Sequence, residues 1–163
     1  MKKKKNLIVC YSRTGTTEII AKILREKLAC DMDKIDYASA KGKVPAAVAA
    51  WEAIRRTTKE IKNDAHKPQD YDRIFFVTPT WAGGLATPIR SYMATHRDNI
   101  ESYSLLITCS NTALGKVRKD ARAVMKKAPE ASAEFRNVDI KQGKYDLSKL
   151  FSQFKEEEPP DEE

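Results

Sequence analysis

The sequence predicts an α/β protein of three layers, a doubly wound five-stranded parallel sheet between two layers of helices. Two observations carry this. Strand-like and helix-like stretches alternate five times along 163 residues, which is the pattern of a parallel sheet joined by right-handed crossovers. The first, third and fourth strands are continuously apolar, as strands buried on both faces are, whereas the second and fifth are mixed, as edge strands are. The strand order that follows is 2-1-3-4-5, with a crevice beyond the carboxyl ends of strands one and three.

Each element has its own signal. The first strand runs from about Lys5 to Tyr11, and a helix from about Thr16 to Ala29 carries Ile19, Ile20, Ile23, Leu24 and Leu28. Met32 to Tyr37 alternates apolar and polar, which predicts a half-exposed strand. Ser39 to Pro45 reads as a loop. A helix from about Ala46 to Ile61 is expected to turn Val48, Trp51 and Ile54 inward, with Trp51 in the core. Asn63 to Asp70 is a polar connection. The third strand is Ile74-Phe75-Phe76-Val77, closed by Pro79; the two glycines and two prolines at 79–88 are expected to stop it. Pro88 suits the first turn of a helix with Ile89, Tyr92 and Met93 on its apolar side. Leu105-Leu106-Ile107 is the fourth strand, and Gly115 to about Lys127 a helix broken by Pro129. Phe135, Val138 and Ile140 form the last strand, and Asp146 to Phe154 the last helix, with Leu147, Leu150, Phe151 and Phe154 at helical spacing.

Residues 1–154 are expected to form one domain, with a full core for that length. Residues 155–163 carry one positive and six negative charges and are expected to be a disordered acidic tail. The chain is +7 overall, so the body without the tail is +12. A basic body attracts acidic or anionic partners. Its lysines are scattered, with no nucleic-acid motif or interleaved aromatics, so no specific nucleic-acid binding is expected. No apolar run approaches a membrane span. The basic start at Lys2–Lys5 leads into too short an apolar stretch for a secretion signal. Cys10, Cys30 and Cys109 lack metal-ligand spacing and read as reduced thiols of a cytoplasmic protein.

The chemistry-bearing stretch is Leu7-Ile8-Val9-Cys10-Tyr11-Ser12-Arg13-Thr14-Gly15-Thr16-Thr17, where an apolar strand hands over to a helix through hydroxyl residues around one glycine. A helix N-terminus offers backbone N–H groups and partial positive charge, so it suits a phosphate. Ser12, Thr14, Thr16 and Thr17 add donors, and Gly15 removes a side chain that would hold an anion off. Other phosphate signatures fail on the same residues. The P-loop Gly-Lys-Ser/Thr is absent, and the dinucleotide fingerprint needs three glycines. A Cys-x5-Arg loop needs arginine where Thr16 stands. A phospho-acceptor receiver needs acidic strand ends, but these are Tyr11-Ser12 and Thr78-Pro79.

Three polar loops, 12–17, 79–87 and 109–114, follow the central strands and converge on one crevice. On these residues the chain resembles a flavodoxin, or a short flavodoxin-fold protein, over nearly its whole length. Ser12-Arg13-Thr14-Gly15-Thr16-Thr17, with Ala21 and Leu24 after it, resembles the family's FMN-phosphate loop; Cys10 stands where the family usually has an aromatic residue. Pro79-Thr80-Trp81-Ala82-Gly83 resembles the loop that holds the isoalloxazine. Cys109-Ser110-Asn111-Thr112 matches the third loop by position. The resemblance implies FMN as cofactor, its phosphate on the first loop, its ring against Trp81 and its N5 near the backbone of Gly83. It implies electron transfer with a redox partner protein or a small-molecule acceptor. An NAD(P)H-dependent flavin or quinone reductase is the alternative, and a flavin-free binding or regulatory module on the same fold is the alternative of another class. Cys109 has no His–acid pair to activate it and reads as structural, as do His66 and His96.

Overall fold

The computed structural model describes residues 3–38, 45–56 and 58–154. Residues 39–44 of the loop expected at 39–45, and the tail expected at 155–163, lie outside the described residues. In chain order the elements are β1 (Asn6–Cys10), α1 (Thr16–Leu28), β2 (Asp31–Lys34), β3 (Asp36–Tyr37), α2 (Ala46–Arg55), β4 (Ile61–Lys62), β5 (Arg73–Trp81), β6 (Gly84–Leu85), α3 (Thr87–His96), β7 (Tyr103–Cys109), α4 (Leu114–Met125), β8 (Ser132–Arg136), α5 (Asn137–Lys141) and α6 (Ser148–Phe151).

The parallel sheet has the order β2-β1-β5-β7-β8, which is the predicted 2-1-3-4-5 in chain order. The three inner strands are the apolar ones, and their side chains alternate between two cores. Leu7, Val9, Ile74, Phe76, Leu105 and Ile107 face one side, where α3 and α4 add Ile89, Tyr92, Met93, Val117, Ala121 and Met125. Ile8, Cys10, Phe75, Val77 and Leu106 face the other, where α1 adds Ile20, Ala21 and Leu24. Each such large apolar side chain contributes about 1.5–3 kcal/mol by leaving water. The period of two along the strands and the helical stripes thus select the same three-layer packing.

Four local expectations are corrected. First, the third strand does not stop at Pro79. β5 runs through Trp81 and returns as the antiparallel β6, with Thr80 opposite Leu85 and Trp81 opposite Gly84. The turn residues Ala82 and Gly83 have φ of +49° and +74°. Positive φ at both central positions is what a two-residue hairpin turn demands. The glycines therefore make a hairpin rather than an interruption.

Second, α2 ends at Arg55, and Ile61 belongs to β4, which pairs with β3 as a separate antiparallel ribbon. The stretch read as one strand from Met32 to Tyr37 is split between that ribbon and the main sheet. Third, α2 turns Ala49 and Glu52 inward and leaves Val48, Trp51 and Ile54 exposed, Trp51 at 57%. A polar anchor sets the helix rotation. The Tyr37 hydroxyl donates to Glu52 Oε2 at 2.5 Å, and Lys59 Nζ lies 2.5 Å from Oε1. Trp51 instead stacks beneath the Arg55 guanidinium at 4.3 Å. Fourth, the last strand ends at Arg136, and Val138 and Ile140 sit on α5. The last helix is the single turn of α6, started by Asp146, whose carboxylate accepts from the Ser148 N–H at 2.8 Å.

Among the described residues no helix is long and apolar enough to cross a membrane.

Candidate functional site

The loops after β1, β5 and β7 meet in a cavity of about 450 Å3 at the carboxyl edge of the sheet. This is within the range of small-molecule and cofactor sites. The first loop supplies Arg13, Thr14, Thr16 and Thr17; the second Pro79, Thr80, Trp81 and Gly83; the third Ser110, Asn111 and Thr112. Thr108, Ala113 and Asn137 complete the lining. Ser12, Gly15, Ala82 and Cys109, also expected here from sequence, do not line it.

Ser12 works from behind. Its Oγ accepts from the N–H of Gly15 at 3.0 Å and of Glu18 at 3.3 Å, folding the loop onto the helix start. Gly15 has φ +96°, and a Cβ placed on it would meet nothing within 4 Å. Beyond it the first-turn N–H groups of Thr16 and Thr17 lie outside the helix's own ladder. Glu18, the acidic residue of that turn, is drawn to Lys34 at 2.7 Å and Lys22 at 3.3 Å. The Lys34 hydrogen bond holds its carboxyl below the usual range. At the start of α4, Glu134 Oε2 accepts from the N–H groups of Ala113 and Leu114 at 3.3 and 3.2 Å. The protein's own carboxylate thus occupies that helix end, whereas at the start of α1 the first-turn carboxylate, Glu18, is paired with Lys34 and Lys22 instead. Among the described residues no acidic side chain lines the cavity, and Arg13 does, so its electrostatics favour an anion at the α1 end.

The three loops are tied through Thr108. Its hydroxyl and that of buried Thr17 are 2.7 Å apart, and the Thr80 hydroxyl donates to its carbonyl at 3.3 Å. Thr108 reads in sequence only as the end of a strand, and no motif marks it. Asn137, which donates to Ser110 Oγ at 3.3 Å, comes from the segment read as strand interior.

Trp81 is 6% exposed. Its ring stacks on Tyr37 with centroids 6.4 Å apart and 13° between planes, and meets Tyr11 edge-on at 5.4 Å. It both lines the cavity and caps the core. Burial pushes the Tyr11 hydroxyl up to about 12 and raises the Tyr37 hydroxyl, which also donates to Glu52, so both stay neutral. Cys109 is buried with its thiol 3.9 Å from the Phe135 carbonyl. Desolvation raises its pKa, which leaves it unreactive. Among the described residues no His/Cys/Asp/Glu group has metal-binding geometry.

A doubly wound α/β protein with a polar crevice at the switch between β1 and β5 is the class that fold and cavity define. No family model matches the chain, and no curated protein matches its sequence. Solved structures match its fold. A flavoprotein from Lactobacillus acidophilus NCFM, solved in complex with FMN, aligns with TM-score 0.68 and 17% identity over 86% of this chain and 98% of that one. The apo-form of the flavoprotein from the same organism gives 0.65 and 19% over 83% and 93%. A WrbA-like flavodoxin from Agrobacterium tumefaciens gives 0.52 and 13% over 95% and 100%. The chain has the flavodoxin-like fold.

Proposed function

We propose that the protein binds FMN in this cavity and acts in electron transfer. The observation that carries the reading is the asymmetry of the crevice. One helix start lines the cavity with hydroxyls, its first-turn carboxylate Glu18 being paired with Lys34 and Lys22 rather than in the lining, and an indole and a glycine hairpin stand beside it. Size and donor set fit a phosphorylated planar cofactor. The flavodoxin-like neighbour holding FMN supports the same ligand.

In this reading the N–H groups of Thr16 and Thr17 and the hydroxyls of Thr14, Thr16 and Thr17 hold the phosphate, with Arg13 adding charge. Ser12 keeps the loop in shape. Trp81 bounds the ring, and the Ala82-Gly83 turn sets how closely the backbone approaches it. Ser110, Asn111, Thr112 and Asn137 offer hydrogen bonds to the polar chain between ring and phosphate. FMN supplies one- or two-electron redox chemistry when bound, and the protein supplies binding and electrostatics. The +12 body suits an acidic redox partner protein or an anionic small-molecule acceptor. The free thiols of Cys10, Cys30 and Cys109 suit a reducing cytoplasm.

The test is the visible spectrum of the full chain after incubation with FMN and gel filtration. Co-eluting flavin bands support the reading, and a folded protein that retains no flavin refutes it. Steady-state NADH or NADPH oxidation with a quinone then separates a reductase, which turns over, from a carrier, which does not.

A further inference from the structure

Beneath the hairpin lies a buried charge node that the reading above leaves unused. Asp120 on α4 is 8% exposed and Arg90 on α3 is 2% exposed. Asp120 Oδ2 accepts from Arg90 Nη2 at 2.5 Å and from the backbone N–H of Leu85, in the return strand of the hairpin, at 3.1 Å. Arg56, at the end of α2, lies 3.6 Å from Oδ1. One helical turn earlier, Lys116 donates to the Ala82 carbonyl at 3.2 Å. Residues i and i+4 share a helix face, so α4 grips the hairpin on both sides of its turn. Gly84 is pressed between them: a Cβ there would lie 3.1 Å from Asp120 Oδ2 and 3.8 Å from Arg90 Nη2. Gly84 pairs with Trp81, and Trp81 and Gly83 line the cavity.

A buried ion pair made only for stability is a poor device, because well-packed apolar side chains do as well or better. Among the described residues this one also leaves Arg90 Nε and Nη1 without a hydrogen-bond partner, so the guanidinium charge is incompletely matched there. We infer that Asp120 is a positioning residue for the hairpin that lines the cavity: it fixes residues 82–85 against α4, and its charge offsets the buried Arg90 cation beneath that hairpin. The inference rests on the FMN reading for its second half only.

Two variants of the full chain separate the halves. Asp120→Asn keeps an oxygen acceptor for the Leu85 N–H but removes the charge; Asp120→Ala removes both. Without FMN, Asp120→Ala is expected to speed hydrogen exchange at the Leu85 amide by about tenfold or more beyond any acceleration at the Ile107 amide of β7, which reports the cost to the whole fold of leaving Arg90 unpaired. Asp120→Asn is expected to retain most of the Leu85 protection. With FMN, Asp120→Ala is expected to weaken binding by about tenfold or more. Asp120→Asn is expected to shift the midpoint potential to more positive values, because an unmatched cation favours added electrons.

Unchanged Leu85 exchange in Asp120→Ala, or equal acceleration at Ile107, overturns the positioning role. Wild-type affinity in Asp120→Ala or a wild-type potential in Asp120→Asn overturns the link to the flavin. If Asp120→Ala does not fold, the Asp120→Asn potential decides. If the wild-type chain takes up no FMN, the function reading fails while the exchange data still decide the positioning role.

Discussion

At Gly15 the backbone, rather than the surrounding space, sets the residue. Its φ of +96° strains any L side chain, although a Cβ would have room. Gly15→Ala is expected to cost about 1 kcal/mol or more in urea unfolding and to weaken FMN binding through the strained loop backbone rather than through a clash. Trp81 carries two loads, core and cavity. Trp81→Ala is expected to lose about 3–5 kcal/mol of stability and shift the flavin potential. Trp81→Phe should recover most of the stability, and comparing the two by denaturation and redox titration separates packing from ring contact. At this scale the sequence is uneven. Thr16 and Thr17 are legible because a strand–hydroxyl–glycine–helix pattern has a local meaning. Thr108 is not, because its role depends on Thr17 and Thr80 arriving from two other strands. Cys109, next to Thr108, has its thiol against β8, the consequence of strand alternation reaching into the loop.

Elements show why some expectations needed correction. The apolar spacing of Val48, Trp51 and Ile54 is a helical stripe, yet it faces outward because buried Glu52 with Tyr37 and Lys59 fixes α2 the other way. Periodicity reports that a helix has two faces, and here a polar network chooses between them. Trp51→Gln is expected to change stability by no more than about 0.5 kcal/mol, whereas Glu52→Ala, which strands the Tyr37 hydroxyl, is expected to cost about 1–3 kcal/mol. Equal effects of the two in thermal unfolding would reverse this account of α2.

The connection 63–70 is likewise more than a linker. The His66 backbone N–H donates to the buried Asp33 carboxylate at 2.9 Å, and ring Nδ1 meets the same carboxylate at 2.6 Å. That hydrogen bond to Asp33 raises the His66 pKa above its ordinary 6.5. A raised folded-state pKa gives a stabilisation that is fully present below the unfolded value and lost as pH rises through the folded one. The stability difference between wild type and His66→Gln is therefore expected to be largest near pH 6 and to shrink at higher pH. A pH-independent difference in melting temperature would show that the ring's charge is not what matters.

For the whole molecule, the continuous apolar runs of β1, β5 and β7 against the mixed β2 and β8 were enough to order the sheet, because strands buried on two faces read as near-continuous apolar runs. That order brings the loops at 12–17, 79–87 and 109–114 to one crevice, and the two-sided core holds them there. The small antiparallel pieces, β3 with β4 and β6 against β5, are invisible to that logic: β3, β4 and β6 are each two residues long and are made by their partners. The central claim is that the start of α1 holds a phosphate whose flavin rests beside Trp81. The measurement that tests it most directly is a calorimetric titration of the full chain with FMN and with riboflavin, which differ only by the phosphate. Two or more charge-assisted hydrogen bonds at about 1.5–3 kcal/mol each predict one FMN per chain bound at least about 100-fold more tightly than riboflavin. Equal affinities, or no binding of either, would contradict it.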